Sequence, residues 1–281
     1  MLSESARDKE TRVSFETGGP TWAQRAVRGE LKAVFSPDGS EQRNLFLHTI
    51  TLYAARRALA LTGSPGVLLD FGCGTGRMLR FFAERGWSVI GTEITAEMLD
   101  AARRFGLPGD ARIHLTDGVT IPVPDESVDL IWVCGVLKYS LFEPGAVCRG
   151  GSARSAEDDP AEAQGKSGEK AFVPVYRDIA REMYRALKPG GWVVNNEVYV
   201  DAPVEAFTFD FEEAGFVTWD VRVLQRYFEP LAKVLQSPRM PRWCVIGAAR
   251  LYAARRFRLD DPRRDVPGLR DYLFVWSKPG R

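Results

Sequence analysis

The chain reads as an α/β protein built on a doubly wound, mostly parallel sheet. Short apolar runs alternate with helical text from Val67 onward, and strands that alternate with helices form a parallel sheet covered on both faces. The runs are rich in Val, Ile and Leu with little polar alternation, as strands buried on both sides require. The composition allows such a core: 281 residues, 45% hydrophobic and 11% aromatic, with 27% charged, exclude wholesale disorder.

Residues 1 to about 20 carry little apolar periodicity and end in Gly18-Gly19-Pro20, so a mobile arm is expected there. Helical text begins at Thr21. Ser40 to Leu61 reads as one long amphipathic helix, with Ser40 as N-cap, Glu41 in its first turn, and Gly63 and Pro65 beyond its end. Strands are predicted at Val67–Phe71, Ser88–Thr92, Arg112–Leu115, Val128–Cys134, Trp192 to about Val200, Phe216–Leu224 and Tyr272–Trp276, seven in all. Helices are predicted at Arg77–Arg85, Ala96–Phe105, Val173–Leu187 (stopped by Pro189-Gly190-Gly191) and Glu205–Ala214. Two insertions interrupt this order. Glu143–Lys170 has no aromatic residue and almost no aliphatic one, so it reads as a long loop, mobile or a lid. Gln225–Arg270 is helical text, Glu229–Leu235 and Trp243–Leu259, set before the last strand. Residues 1–65 are therefore an arm and helical cover, and 66–281 the sheet domain with insertions at 143–170 and 225–270.

Lys and Arg number 38 against 37 Asp and Glu, a net charge of +1, which excludes a uniformly basic nucleic-acid coat protein. The balance is uneven along the chain: Gln225–Arg270 holds eleven basic and four acidic residues, leaving −6 elsewhere. Cys73, Cys134, Cys148 and Cys244 lie far apart with no CxxC pair, and His48 and His114 are the two histidines. Neither a disulfide framework nor a metal site is expected. No run approaches the ~20 apolar residues of a membrane span, and the polar start MLSESARDKETR resembles no secretory signal, so a reducing cytoplasmic setting is expected.

The chemistry is concentrated after the first strand. Asp70-Phe-Gly72-Cys-Gly74-Thr-Gly76 places three glycines between a strand and a helix, where backbone must turn sharply and let a ligand approach. No GK[ST] follows, since 77 is Arg and 78 is Met, and the third glycine of GxGxxG is missing at 77. These departures exclude a phosphate P-loop and the dinucleotide fingerprint. Glu93 ends the second strand, 23 residues after Asp70, a position from which a carboxylate can accept from both hydroxyls of a ribose.

The texts VLLDFGCGTGRML, VIGTEIT with AEML, LTDGVTIPVPDESVDLIWVCGVL, EMYRALKPGGWVV and FEEAGF, in this order, resemble the class I S-adenosylmethionine-dependent methyltransferases, with their Rossmann-like seven-stranded sheet. The resemblance covers about Val67 to Gly215. It implies S-adenosyl-L-methionine as cofactor and S-adenosyl-L-homocysteine as product. It implies that Asp70, Gly72, Gly74 and Gly76 hold the methionine end, with Cys73 a small packing residue in the same loop. Glu93 would hold the ribose, Ile94 and Met98 would pack on the adenine, Asp117 and Gly118 would meet its edge, and Cys134 with Gly135 would lie near the sulfonium methyl.

Methyl transfer from a sulfonium needs alignment and dryness first; a hydroxyl acceptor also needs a base. Many similar small-molecule enzymes carry His after the fourth strand, whereas here Val136-Leu137 leads into Lys138-Tyr139. Lys138 is a candidate to hold an anion or act as base, with a solvated lysine the plainer alternative. His48, in the helix before the sheet, is a candidate base or anchor or a packed histidine; His114 reads as structural. Glu197, near the end of the fifth strand, resembles an acidic site position, and Tyr139, Phe142, Tyr199 and Phe207 stand at or after strand ends, where an acceptor pocket would be built. The expected function is methyl transfer to a small metabolite, to oxygen or nitrogen more than carbon. Two alternatives stay open: an RNA-modifying enzyme using the basic 225–270 segment, and an inactive cofactor-binding protein with that segment as a homodimer or partner surface. No membrane partner is expected.

Overall fold

The computed structural model describes residues 22–137, 176–200, 204–226, 236–259 and 269–280. Among these, helices α1 (Trp22–Arg25), α2 (Glu30–Val34) and α3 (Glu41–Thr62) precede the sheet. They are followed by β1 (Val67–Phe71), α4 (Arg77–Ala83), β2 (Ser88–Glu93), α5 (Ala96–Arg104), β3 (Arg112–Leu115), β4 (Val128–Cys134), α6 (Tyr176–Ala186) and β5 (Leu187–Val200). The chain ends on α7 (Val204–Glu213), β6 (Val217–Arg226), α8 (Arg242–Leu259) and β7 (Leu269–Ser277). The arm before residue 22, the 143–170 loop and the helix expected at 229–235 lie outside the described residues.

The seven strands run in the order β3-β2-β1-β4-β5-β7-β6. Pairing is parallel from β3 to β5, and β7 lies antiparallel between β5 and β6. The fold class read from the sequence holds. Side chains alternate between two cores with the period of two that a strand imposes. Leu68, Leu130, Trp132, Val194, Leu273 and Val275 face α3, α4 and α8, whereas Leu69, Ile131, Val133, Val193, Phe274 and Trp276 face α6 and α7. Phe211 of α7 stacks on Trp276 with centroids 4.0 Å apart.

Two expectations need correction. Pro189-Gly190-Gly191 does stop α6, but β5 already begins at Leu187 and runs through that triplet. It does so because the backbone of Gly190 and Gly191 exchanges hydrogen bonds with Lys278 at the end of β7. Helix α3 is capped by Ser40 as read, its side chain accepting from Arg43 N, yet its first half is not amphipathic. Asn44 to Leu47 and Thr49 to Thr51 are all buried, because the helix lies between the sheet and α8. Thr49 and Thr51 satisfy their hydroxyls on the carbonyls of Leu45 and Leu47.

Candidate cofactor and acceptor site

A cavity of about 240 Å³ opens at the carboxyl ends of β1, β2 and β4, where open α/β sheets place their ligands. Gly72, Gly74, Glu93, Ile94, Met98, Asp117, Gly118, Cys134 and Gly135 line it, so residues far apart in sequence meet in one space. Trp22 and Val34 line it as well. These two come from the helical cover, which is fixed by packing of Ala26 and Ala33 on Met98 and Ala101 and by the ion pair of Arg80 with Glu30. The sequence marked this region as a helical cover without singling out either residue.

The glycines have distinct reasons to be glycine. At Gly72, φ is +75° and a Cβ would lie 2.4 Å from Val136 Cγ2; at Gly76, φ is +72° and a Cβ would meet Leu107 Cδ2 at 2.6 Å. Gly72 therefore keeps the cavity floor clear, while Gly76 serves the packing of α4 and does not line the cavity. Cys73 does not line it either. Its buried Sγ is turned toward Gly91, and burial, then the charges of Asp70 and Glu93, raise its thiol pKa well above the ordinary value. Its place in the loop is packing, as its size suggested.

Glu93 ties the loop to the strand end. Its Oε2 accepts from Gly74 N at 2.9 Å, and its Oε1 accepts from the amides of Ile94 and Thr95 at 2.9 and 3.1 Å. Burial raises its pKa, opposed by those amide bonds. Asp117 departs from the simple expectation. Its Oδ1 accepts from Val119 N and Thr120 N, and its Oδ2 from the Thr120 hydroxyl, which lowers its pKa. The carboxylate shapes its own loop beside the cavity.

Asp70 sits beneath the loop, fully buried, with Oδ2 lacking any hydrogen-bond partner. Burial raises its pKa to about 7, opposed by the positive charge of Arg77. A buried acceptor without a donor is costly, and Asp70 is not among the residues that line the cavity.

Beside the cavity, behind its lining residue Cys134, Arg77 and His48 meet. Arg77 Nη1 approaches His48 Nδ1 at 3.1 Å, and Nη2 approaches Cys134 Sγ at 3.4 Å. Burial, then the charges of Arg77 and Arg56, lower the His48 pKa to about 3. An imidazole whose Nδ1 accepts from a guanidinium carries its proton on Nε2. His48 is thus a donor in this arrangement, which argues against the base role. Cys134 Sγ in turn faces Asn196 Oδ1 at 3.9 Å, and Asn196 Nδ2 donates to Asp271 Oδ1 at 2.5 Å and to Tyr272 O at 3.2 Å. The sequence singled out none of Arg77, Asn196 and Asp271 for a role; Arg77 entered only as the residue that broke two other motifs.

Glu197 is buried on β5 opposite Tyr272. It shares the face of Val193 by alternation, so the sheet separates it from His48 and Asn196. His114 pairs in register with Thr92 on the edge strand β3, away from the cavity lining. Lys138, Tyr139 and Phe142 lie outside the described residues, as do the side chains of Tyr199 and Phe207.

The basic insertion also takes form. Helix α8 contains no acidic residue. Arg250, Arg255 and Arg258 are exposed within an arc of about 140° at ~100° per residue, with Trp243 and Leu251, 76% and 74% exposed, inside that arc. Arg256 is turned away, over the Tyr252 ring. Among the described residues, no group of His, Cys, Asp and Glu is arranged to hold a metal ion, and no helix is long and apolar enough to cross a membrane.

Residues 69–149 match the family described as a methyltransferase domain. Among curated proteins, the malonyl-acyl-carrier-protein O-methyltransferase of Salmonella typhimurium is 38% identical over 92 residues, 30% of this chain and 35% of the relative. Its counterpart from Serratia marcescens is 35% identical over 82 residues, 28% and 31% of the two chains. The chain thus spans about a third of these relatives' length. Among solved structures, the 4+2 cyclase SpnF superposes with a TM-score of 0.52 at 20% identity, covering 99% of this chain and 95% of SpnF. A methyltransferase solved with the Haloferax volcanii Trm112 activator gives 0.52 at 16% identity, over 90% and 99% of the chains. At such identities the structural likeness is one of fold. Residues 69–149 thus match a methyltransferase domain, and the sheet order and glycine loop around them agree with the Rossmann-like methyltransferase fold.

Proposed function

We propose that the chain binds S-adenosylmethionine in this cavity and transfers its methyl group to a small-molecule acceptor, at oxygen or nitrogen. The observation that carries this reading is the joining of the glycine loop, Glu93 and the Cys134-Gly135 turn in one space. The residues fit the cofactor: Gly72 leaves room a Cβ would fill, and Glu93 stands where a ribose would be held. When bound, the cofactor supplies a methyl on a sulfonium, an already activated leaving group.

The chain's own residues then bind, orient and exclude water. Trp22 and Val34 close the cavity from the cover, which strengthens every polar contact inside. His48, neutral with its Nδ1 engaged, donates through Nε2 and does not take a proton. An acceptor that reacts without a base from His48 fits this arrangement: a neutral amine or an oxygen already ionised. The curated relatives, named as O-methyltransferases, favour oxygen.

A second reading, RNA as acceptor, is favoured by the exposed arginines and Trp243 on α8, since phosphate contacts and base stacking use these residue types. One experiment separates the two. Methyl-labelled S-adenosylmethionine is incubated with the protein and a fractionated cell extract. The expected result is label in the low-molecular-weight fraction, lost with Glu93→Ala. Label in RNA selects the second reading. Tight cofactor binding with no label anywhere sets methyl transfer aside, as the likeness of fold to a cyclase makes worth testing.

A further inference from the structure

Arg77 is 9% exposed, and among the described residues no carboxylate pairs with it. Its contacts are the Nδ1 of a neutral His48, Cys134 Sγ at 3.4 Å, Met78 Sδ at 3.2 Å and the ring face of Phe35 at 4.6 Å. Asp70 feels its charge, but the free Oδ2 of that residue has no hydrogen bond. A buried guanidinium is normally held by an anion with several hydrogen bonds. Here its five N–H donors meet one imidazole nitrogen and two sulfurs, which are weak acceptors. Among the described residues, this cation next to the cavity has no anionic partner.

The surroundings are built to hold this cation in place. Phe35 covers one face, and Cys134, which Arg77 touches, lines the cavity. Behind Cys134, Asn196 is fixed by Asp271 and Tyr272 O. On the other side His48 holds Nη1 through its Nδ1.

We propose that Arg77, positioned by His48 Nδ1, forms a carboxylate seat behind Cys134, in which a planar carboxylate replaces the sulfur contacts with charge-assisted hydrogen bonds. Two molecules could bring that group: the cofactor, through the carboxylate of its amino-acid end, and an acceptor that is a carboxylic acid. The cofactor source rests on the proposed S-adenosylmethionine reading; the acceptor source does not need it.

The test uses two ligand pairs that differ only in the carboxylate. The first is S-adenosylhomocysteine against its decarboxylated analogue, followed by titration calorimetry; the second is hexanoate against hexanamide, followed by thermal shift with and without S-adenosylhomocysteine. The seat predicts that the wild type prefers the carboxylate member of at least one pair by about 10- to 100-fold, the range of a hydrogen bond to a charged group. Arg77→Met should abolish that preference and Arg77→Lys restore part of it. Discrimination in the first pair assigns the seat to the cofactor, and in the second to the acceptor. If the wild type discriminates neither pair, the proposal is overturned without any variant, even should Arg77→Met fail to fold. If Arg77→Met folds and keeps the full preference, it is overturned also. Hexanoate binding that depends on Arg77 in a protein that ignores S-adenosylhomocysteine would keep the seat and remove the cofactor reading.

Discussion

The two halves of the sheet present their polar groups by different means. Around β1, β2 and β3 the contacts offered to a ligand come from backbone, glycines with positive φ and amides ordered by Glu93. Around β5, β7 and β6 the buried polar groups are side chains carried by distant strands, outside the cavity lining: Asn196 against Asp271, with Asn195 and Gln225 buried and without hydrogen-bond partners among the described residues. Backbone recognition demands particular residues at fixed spacing and so fits a ligand common to many enzymes. Side-chain recognition can be rebuilt strand by strand, as a variable acceptor requires.

The first half breaks most completely at Gly72. Gly72→Val puts side-chain atoms onto Val136 at a φ of +75°, and S-adenosylhomocysteine binding should fall below detection in calorimetry while the sheet's circular dichroism remains. The second half breaks through its core. Phe211→Ala removes the ring stacked on Trp276, and denaturant titration should show a loss of about 3–5 kcal/mol with cofactor affinity little changed in the folded protein. Glu93→Ala releases three amides and removes the proposed ribose contact; its expected cost is about 1.5–3 kcal/mol in binding, roughly 10- to 100-fold.

A smaller effect appears as a pH slope. The Asp70 carboxyl ionises near 3.8 when unfolded and near 7 when folded, so between those values the native state holds the extra proton. Its contribution to stability therefore falls as pH rises from about 4 to about 7. His48 acts oppositely: with its pKa lowered from 6.5 to about 3, its contribution rises as pH climbs through that window. Melting curves of His48→Gln should expose the falling limb, and Asp70→Asn should remove it. The smallest effect belongs to the outer surface. Reversing Arg250, Arg255 and Arg258 to Glu should leave S-adenosylhomocysteine affinity within about twofold, because beyond about one Debye length, ~10 Å at 0.1 M salt, surface charge is screened. Steep, salt-dependent RNA binding lost in that variant would instead support the RNA reading.

The same contrast explains what the sequence disclosed. Gly72 and Gly74 stand out because only glycine adopts their φ without strain, and Glu93 because a strand-end acid at that distance has a chemical use. Seven strands were legible from apolar runs, including β7, whose antiparallel placement between β5 and β6 periodicity could not give. His48 drew notice as a rare residue type, but its tautomer depends on Arg77, 29 positions away. Asn196 and Asp271 are 75 positions apart and gain meaning only when β5 and β7 pair. The buried first half of α3 escaped notice for the same reason: what covers its outer side is α8, nearly two hundred residues later.

The central claim, a cofactor held between the glycine loop and Glu93, is tested most directly by calorimetric titration of S-adenosylhomocysteine into the wild type and Gly72→Val. The account predicts one site per chain, micromolar or tighter, absent in Gly72→Val. No binding by the wild type, or undiminished binding by a folded Gly72→Val, would contradict it.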